Sequence, residues 1–347
     1  MTTVVIGGGQ AGLAAGYYLR RAGLDFVILD DQPRPGGSWQ DYWPSLHLFS
    51  PAEYSRLPGW PMPPWPQGFP PASHVVDYLT AYEKKYDLPV HRPVRVESVR
   101  RGDHHRYRVE TDSGVFDASA IVNATGTWSR PFWPNYPGMR SFGGVQLHAA
   151  DYRTPEQFSG REVAIVGGGN SAAQILAEIS TVADTVWFTA REPRFLADDV
   201  DGRVLFDVAS DRARALASGA ADSGGVTGLG DIVMVPPVKD ARERGVLHSR
   251  RMFTEIVPDG VLGEDGTEEF DAIVWCTGFR SALRHLRALH LPSTDSSPIA
   301  LNGNHVQDEP TMVFLGYGDW CGPASATLIG VGRTARSAVS ALVKTLS

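Results

Sequence analysis

Apolar and polar positions near the start of the chain alternate in a way that predicts three elements. Residues 3–6 form a short β-branched run, and a glycine-rich turn, GGGQAG, follows at residues 7–12. Residues 13–21 then carry apolar side chains at helical spacing, and residues 26–29 form a second apolar run. This order of strand, glycine turn, helix and strand is typical of a βαβ unit.

The same order returns in the middle of the chain. Residues 163–166 predict a strand, GGGNSA at 167–172 a turn, 173–180 a helix and 185–189 a strand. A supersecondary unit that occurs twice indicates two similar domains.

Other segments predict elements around these two units. Residues 56–71 are rich in proline, and Val75, Val76, Leu79 and Tyr82 lie at the spacing of an amphipathic helix. Residues 94–115 alternate like a small antiparallel meander, with turns at Gly102-Asp103 and Ser113-Gly114. The further predictions are strands at 121–123, 252–256, 271–275 and 312–315, a helix from about 324 to 346, a loop or partial helix of unassigned role at 210–230, and a solvated turn at His104-His105.

Composition narrows the class of protein. The chain has 347 residues, a formal net charge of -7 and two cysteines. The acidic balance disfavours nucleic acid and anionic membranes as partners, and so few cysteines exclude a disulfide scaffold. The first predicted strand begins at once, which leaves no room for a signal peptide, and no apolar run approaches the ~20 residues that span a bilayer. We expect a cytoplasmic protein; the sequence leaves its oligomeric state, including a homo-oligomer, open.

The first glycine turn predicts a nucleotide site. Its glycines permit a tight turn, close approach of a pyrophosphate, and close packing of helix on strand. Asp30 follows Gly12 by 18 residues, where a carboxylate accepts hydrogen bonds from a ribose diol. This suits the AMP half of FAD or NAD, with a turn that binds nothing as the less favoured alternative. The residues assigned to it are Gly7, Gly9, Gln10, Ala11, Gly12 and Asp30.

The second glycine turn differs at the position that reads the ribose. Ala190 lies 18 residues after Ala172, and Arg191 follows it. An arginine without an acid accommodates a 2′-phosphate, so this turn is predicted to prefer NADP, unless Arg191 is a solvated loop cation. The residues assigned to NADP are Gly167, Gly169, Asn170, Ser171, Ala172 and Arg191. Together the two sites imply hydride transfer from NADPH to a flavin.

These observations predict an α/β fold with two Rossmann-like dinucleotide-binding domains. A discontinuous FAD domain is expected from residues 1–147 and 280–347, with an NADP domain at 148–279 inserted into it. The strands that lead into Gly126 and Gly278 would mark the crossovers between them.

Several motifs resemble the class B flavoprotein monooxygenases. FGGVQLHAADY at residues 142–152 matches the fingerprint F-x-G-x-x-x-H-x-x-x-Y, and PGGSW at 35–39 matches a flavin segment. NATG at 123–126 and WCTGF at 275–279 match the two interdomain strand ends. More narrowly, SLHLFSP at 45–51, VPPV at 235–238 and the run at 316–336 resemble the small monooxygenases of bacterial arsenic-resistance operons.

The resemblance implies an activity that depends on the cofactor. NADPH would reduce FAD, dioxygen would give a C4a-(hydro)peroxyflavin, and this species would oxygenate a small sulfur or nitrogen nucleophile or an arsenical. No protein nucleophile is then required; His148 and Ser50 are the catalytic candidates, with a purely structural histidine equally open. No Cys/His/Asp cluster has metal spacing, so no metal is expected. The FAD contacts implied by the resemblance are Gly37, Ser38, Trp39, His47, Val96, Thr125, Gly126 and Asp319.

The motif GDWCGPA at residues 318–324 superficially matches a thiol–disulfide motif, but an alanine replaces the second cysteine. The resemblance instead implies that Asp319 binds the ribityl chain and that the next helix directs its N-terminus at the flavin. Aromatic residues between 39 and 69 are predicted to cover the flavin, with a polyproline ligand for a partner as the alternative. The alternative function is an NADPH-dependent flavin reductase that passes electrons to another acceptor or to oxygen as peroxide.

Overall fold

The computed structural model describes residues 2–103, 106–219, 231–295 and 297–347. The predicted turn at residues 104–105 and residues 220–230 of the predicted loop lie outside the described residues. The beginning of that loop is helical, because residues 210–217 belong to the helix Gly202–Ala217.

The described elements are as follows. The helices are α1 (Gln10–Arg21), α2 (Ala72–Lys85), α3 (Asn170–Ile179), α4 (Gly202–Ala217), α5 (Pro236–Glu243) and α6 (Val331–Leu346). The strands are β1 (Thr3–Ile6), β2 (Phe26–Leu29), β3 (Val90–His91), β4 (Val96–Arg101), β5 (Tyr107–Thr111), β6 (Gly114–Ala118), β7 (Ala120–Asn123), β8 (Val145–His148), β9 (Glu162–Val166), β10 (Asp184–Thr189), β11 (Ser249–Arg251), β12 (Glu255–Val257), β13 (Gly260–Gly263), β14 (Gly266–Glu269), β15 (Ala272–Trp275), β16 (Leu301–Asn302), β17 (His305–Val306) and β18 (Glu309–Phe314).

The first sheet joins two distant parts of the chain. Its strand order is β16-β17-β18-β7-β1-β2-β3, and the neighbours from β18 to β3 are parallel. Every residue of β1, β2 and β7 is buried, as expected for parallel strands that are covered on both faces. On one face α1 packs against α6 and α2, which contributes Val75, Tyr78, Leu79 and Tyr82 to the core.

The second sheet carries the second glycine turn. It has five parallel strands in the order β11-β10-β9-β15-β8, with α3 packed against α5 beside it. Two three-stranded antiparallel sheets, β4-β5-β6 and β12-β13-β14, complete the fold. The expected α/β fold, with two βαβ units and a small meander, is therefore confirmed.

Two element predictions are wrong. Residues 252–254 are not a strand, because β11 pairs in the second sheet and β12 pairs with β13, so the chain changes sheets between them. The helix predicted from residue 324 begins at Val331. Ala324 has φ +60°, and a Cβ at Gly330 would overlap the Ala324 carbonyl oxygen, so residues 322–330 form turns.

The two helices after the glycine turns begin three residues earlier than predicted, at Gln10 and Asn170. The turns therefore lead directly into helix N-termini, as a phosphate site requires. The predicted domain boundary at residues 147/148 falls inside β8, a strand of the second sheet. Within the described ranges, no helix is long and apolar enough to cross a membrane.

Candidate cofactor and active site

A cavity of about 1070 Å³ opens where the parallel strands of the first sheet end. Residues that directly follow β1, β2, β7 and β18 line it, which is the edge where open α/β sheets bind ligands. The volume exceeds the roughly 300–1,000 Å³ of ordinary small-molecule pockets. It therefore has room for an extended ligand such as a dinucleotide.

The first glycine turn is closed by backbone contacts. Gly7 has φ +104°, and a Cβ there would lie 2.5 Å from the Ala124 carbonyl oxygen. A Cβ at Gly12 would overlap the carbonyl oxygen of Gly7, so helix and strand meet without room for a side chain. Gly9 lies against Gly37, whose φ is +55°. These contacts make a backbone cradle at the N-terminus of α1 that fits a pyrophosphate.

The side chains beside this cradle are tied to one another. Gln10 donates from Nε2 to the Ala326 carbonyl oxygen at 2.7 Å, and Trp39 donates from Nε1 to Gln10 Oε1 at 2.9 Å. Gln10 and Trp39 both line the cavity. The flavin segment, the helix N-terminus and the turn before α6 are thus held in one arrangement.

Asp30 lies at the cavity wall with only 3% of its surface exposed. Arg92 donates from Nε to Asp30 Oδ2 at 2.6 Å and from Nη1 to Glu83 Oε1 at 2.8 Å. Because Leu29 pairs with His91 in the sheet, the next residues of the two strands, Asp30 and Arg92, are neighbours. Sequence reasoning missed Arg92, since a two-residue strand leaves almost no pattern.

Four arginines of the cavity were also missed by the sequence motifs. Arg284 and Arg287 lie on a short 3₁₀ helix that packs against β4, and Arg95 and Arg130 lie on loops. Cations of this kind suit a pyrophosphate. The only sequence signal was the run of basic residues after the second interdomain motif.

A network of buried hydrogen bonds stabilises one wall of the cavity. His285 donates from Nε2 to Asn123 Oδ1 at 2.7 Å, since an amide oxygen can only accept. Asn123 donates from Nδ2 to the Tyr317 hydroxyl, which shares a hydrogen bond with Thr125 Oγ1, each at 2.7 Å. Burial lowers the pKa of His285 to about 4, so the ring is neutral at pH 7. The network fixes the strand end that leads into Gly126.

Not every residue assigned to FAD lines this cavity. Gly12 packs behind the turn, and His47 is exposed and bonds the Ser45 carbonyl oxygen. Asp319 is 57% exposed at its side chain and accepts a hydrogen bond from Arg212 Nη1 of α4 at 2.8 Å. The assigned residues that do line the cavity are Gly7, Gly9, Gln10, Ala11, Asp30, Gly37, Ser38, Trp39, Val96, Thr125 and Gly126.

The two catalytic candidates lie outside the cavity lining. His148 is fully buried; it accepts from the Ala150 N–H at Nδ1 and bonds the Gly278 carbonyl oxygen through Nε2. Burial lowers the pKa of His148. Ser50 shares a hydrogen bond with Ser55 and packs against Gly202 at the start of α4. His148 thus contacts the segment that follows β15, and Ser50 contacts the start of α4.

The second glycine turn is open at its third glycine but not at its first. A Cβ at Gly167 would overlap the Cys276 carbonyl oxygen, but no atom lies within 4 Å of a Cβ at Gly169. Asn170 uses its amide to bond the Asp231 carbonyl oxygen and the Val233 N–H. Ser171 is partly exposed, and the buried Ala172 takes the place that Gly12 has in the first turn.

Beside this turn two arginines share one carboxylate. Arg191 donates to Asp231 Oδ1 at 3.3 Å, and Arg194 donates to both Asp231 oxygens at 3.0 Å. The hydrogen bonding of Arg194, and then the positive charges of Arg191 and Arg194, lower the pKa of Asp231. The side chain of Arg191 is 74% exposed. Arg194 and Asp231 were missed, because nothing in the motif marks residues three and forty positions further on.

The fingerprint tyrosine belongs to a cluster around Glu178 of α3. The Tyr152 hydroxyl donates to Glu178 Oε2 at 2.8 Å, and Ser45 Oγ and Trp43 Nε1 donate to Oε1 at 2.6 and 3.2 Å. Burial, together with the neighbouring carboxylate of Glu178, raises the pKa of Tyr152. One carboxylate therefore joins the second βαβ unit to the loop that follows the flavin segment.

Aromatic side chains form part of the cavity wall. Trp39, Tyr42, Trp128 and Phe279 line it, with ring centroids of Trp128 4.3 Å from Tyr42 and 4.8 Å from Phe279. The proline-rich stretch behaves differently. Its Trp60 and Trp65 pack on Tyr78 and His74 of α2, with ring centroids 5.4 and 5.1 Å apart.

The described residues contain no group of three His, Cys, Asp or Glu side chains that could hold a metal ion. Both cysteines are free, and neither lines the cavity. Burial raises the pKa of both Cys276 and Cys321 to about 12, so neither is a thiolate at neutral pH.

Comparisons with known proteins agree with this geometry. A sequence profile described as pyridine nucleotide-disulphide oxidoreductase matches residues 4–221. A flavin-containing monooxygenase from Stenotrophomonas maltophilia is 50% identical, with 100% of this chain and 99% of that chain covered and a TM-score of 0.90. The uncharacterized oxidoreductase CzcO of Bacillus subtilis is 30% identical over 335 residues, 96% of each chain. A Baeyer-Villiger monooxygenase from Streptomyces coelicolor is 33% identical over 202 residues, 57% of this chain and 39% of its own length.

The chain thus belongs to the pyridine nucleotide-disulphide oxidoreductase family, and within it to the flavin-containing monooxygenases. It is a flavin-dependent oxidoreductase whose cofactors are FAD and NADPH.

Proposed function

We propose that this protein is an NADPH- and O₂-dependent monooxygenase that oxygenates a small soft nucleophile, a sulfur, a nitrogen or an arsenical. The observation that carries the proposal is the pairing of a closed glycine turn, which opens into a dinucleotide-sized cavity, with an open glycine turn flanked by two arginines. Such a pair of turns suits one cofactor that stays bound and a second cofactor that binds and dissociates. The 50% identity to a flavin-containing monooxygenase over the whole chain supports it.

The cavity residues would hold FAD. Asp30 would accept the ribose hydroxyls, the cradle at Gly7 and Gly9 would receive the pyrophosphate, and the segment from Gly37 to Trp39 would face the ring system. The chemistry that FAD would supply when bound here is acceptance of hydride and activation of dioxygen. Asp319, which accepts a hydrogen bond from Arg212, would reach the ribityl chain only after it leaves this partner.

The open turn would hold NADPH. Its pyrophosphate would meet the N-terminus of α3, and Arg191 with Arg194 would receive the 2′-phosphate in place of Asp231. We propose the domain division with β8 assigned to the NADP-binding unit, so that the insertion begins at about residue 145. A cytoplasmic location remains a prediction.

The chain's own contribution to oxygenation would be shielding. Trp39, Tyr42, Trp128 and Phe279 present aromatic faces to the cavity, and such walls exclude water and accept soft or cationic groups. No residue of this wall is a strong acid or nucleophile. The substrate would therefore be selected by size and by its own nucleophilicity.

The test is oxygen transfer from ¹⁸O₂ by the FAD-loaded enzyme with NADPH. Methyl phenyl sulfide, trimethylamine and a trivalent methylarsenical serve as probes of the three nucleophile classes. We expect one ¹⁸O in the product of at least one probe, with one NADPH oxidised and the second oxygen atom released as water. If every probe is left unchanged and the oxygen consumed appears as hydrogen peroxide, the monooxygenase proposal is wrong and a reductase is favoured.

A further inference from the structure

A second cavity of about 730 Å³ lies at the other end of α1 from the cofactor cavity. It is bounded by the last turn of α1, the exposed side of α6 and the segment of residues 56–61. The cofactor cavity contacts α1 at Gln10 and Ala11, ten residues before Arg21. The second cavity first meets α1 at Tyr17, six residues after Ala11, so at 1.5 Å per helical residue the two linings are about 9 Å apart along the helix where they are nearest.

The charge of this second cavity is opposite to that of the chain. Arg21, Arg56 and Arg336 line it, and none of its lining residues is an aspartate or glutamate. The chain as a whole carries a formal charge of -7. Of these arginines, Arg21 donates to the Tyr17 hydroxyl at 3.0 Å, and this partner is uncharged. The cavity therefore concentrates positive charge where an anion would be attracted.

The wall of the cavity is held rigidly by neighbouring side chains. The Tyr78 hydroxyl accepts from the Leu57 N–H and donates to the Trp60 carbonyl oxygen, at 2.8 and 2.7 Å. The Tyr82 hydroxyl donates to the Pro58 carbonyl oxygen at 2.6 Å. The segment is therefore fixed before any ligand arrives, which lowers the entropy that binding would cost.

The remaining surface of the cavity is aromatic and apolar. Tyr17 and Tyr18 meet edge to face with ring centroids 5.1 Å apart, and Trp60 of the fixed segment, whose ring packs on Tyr78, also lines the cavity. Val339 and Val343 of α6 add aliphatic contacts. Such walls suit a flat apolar body, whereas the three guanidinium groups suit a carboxylate or phosphate.

We propose that this cavity is a second ligand site, separate from the cofactor cavity, for an organic anion that carries a carboxylate or phosphate on a flat aromatic body. Residues 56–61 of the proline-rich stretch would then form one wall of this ligand site. This role differs from both alternatives predicted from the sequence, which were to cover the flavin and to bind a partner as a polyproline ligand. The proposal does not depend on the nature of the oxygenated substrate.

The test is calorimetric titration of the FAD-loaded enzyme, saturated with NADP⁺, with naphthalene-2-carboxylate. Saturation keeps the probe out of the cofactor sites. We expect one bound probe per chain, and the uncharged naphthalene-2-carboxamide should bind at least roughly fivefold more weakly, because it lacks the charge that the arginines recognise. 2-Naphthyl phosphate tests a phosphate in place of the carboxylate on the same aromatic body. Inorganic phosphate, which lacks that body, should bind more weakly than 2-naphthyl phosphate.

Arg336→Ala should weaken naphthalene-2-carboxylate binding by roughly five- to tenfold. Lys344→Ala is the matched control, since it removes a positive charge from the same helix outside the cavity, and should change the affinity less than about twofold. Arg56→Ala, on the fixed segment, tests the same site independently should Arg336→Ala alter folding. Absence of binding, equal affinity for acid and amide, or equal affinity of both arginine variants and the control would overturn the proposal.

Discussion

The two glycine turns of this molecule have nearly the same sequence pattern but different surroundings. The first is pressed between backbone atoms, opens into a large cavity and lies beside the buried Asp30. The second is also pressed against backbone at Gly167, but no atom lies within 4 Å of a Cβ at Gly169, and the turn lies beside the exposed Arg191. We expect the first turn to hold a resident cofactor and the second an exchanging one, because the surroundings of a turn decide how easily a ligand leaves.

The largest effect on this comparison is expected from Gly12→Ala. The added Cβ would overlap the Gly7 carbonyl oxygen, so the closed turn must open, at a cost of about 1–3 kcal/mol, and FAD should be lost. Flavin absorbance of the purified protein and its thermal unfolding measure this. Gly169→Ala, a glycine of the second turn whose added Cβ would meet no atom within 4 Å, is the control and should leave both unchanged. A Gly12→Ala protein that retains its full FAD content would contradict the closed-turn interpretation.

A pH effect on stability is expected at the first cavity. Burial lowers the pKa of His285 to about 4, whereas the unfolded chain has the ordinary value of ~6.5. The folded state thus gains stability from neutral His285 above pH 6.5 and loses it as the pH falls towards 4, on the order of 3 kcal/mol in total. His285→Gln, which keeps a donor to Asn123, should flatten this decline in urea unfolding between pH 6.5 and 4. The exposed His47→Gln should not, and an identical slope in both variants would refute the assignment.

Arg191→Ala should distinguish the second turn from the first. The KM for NADPH should rise by about tenfold while the KM for NADH changes little, because only NADPH carries the 2′-phosphate. Steady-state kinetics with both nucleotides measure this. Arg214→Ala, on the surface of α4, is the control. Equal changes in KM for the two nucleotides would contradict the proposal that Arg191 binds the 2′-phosphate.

The smallest effect is expected from Glu178→Gln, which weakens the connection between the two regions. A glutamine offers one acceptor oxygen where Tyr152, Ser45 and Trp43 now share two. Thermal unfolding should show a loss of about 1 kcal/mol, and more peroxide should be released per NADPH oxidised. Glu156→Gln, an exposed acid of the same unit, should alter neither. Unchanged peroxide release with reduced stability would leave Glu178 with a purely structural role.

Much of the fold followed from local patterns. Buried parallel strands appear as short apolar runs, and each glycine turn fixed the position of the next helix to within three residues. The start of α6 could not be read in the same way. Residues 324–330 are small and apolar like a helix, but the positive φ of Ala324 and the close approach of Gly330 to it depend on tertiary contacts.

The site was predictable only where a motif carries its own geometry. The residues at Gly7, Asp30 and Thr125 line the cavity because they follow strands that the pattern had identified. Arg92, Glu178 and Asp231 act on partners 62, 135 and 40 positions away. Such pairs are created by sheet register and packing, and a single sequence holds no signal for them.

The strand order of the first sheet also has a consequence for synthesis. β18 completes the sheet beside β7, and α6 covers α1, yet both follow the entire second unit in the chain. At the usual rate of ~5–20 residues per second, the ribosome needs on the order of ten seconds or more between β7 and β18. Until then β7 has no neighbour on the side that β18 will occupy, and α1 lacks the packing of α6. By the time β18 is made, the second unit already has all of its strands. We expect the inserted unit to fold first, and FAD to be captured only as the nascent chain nears completion.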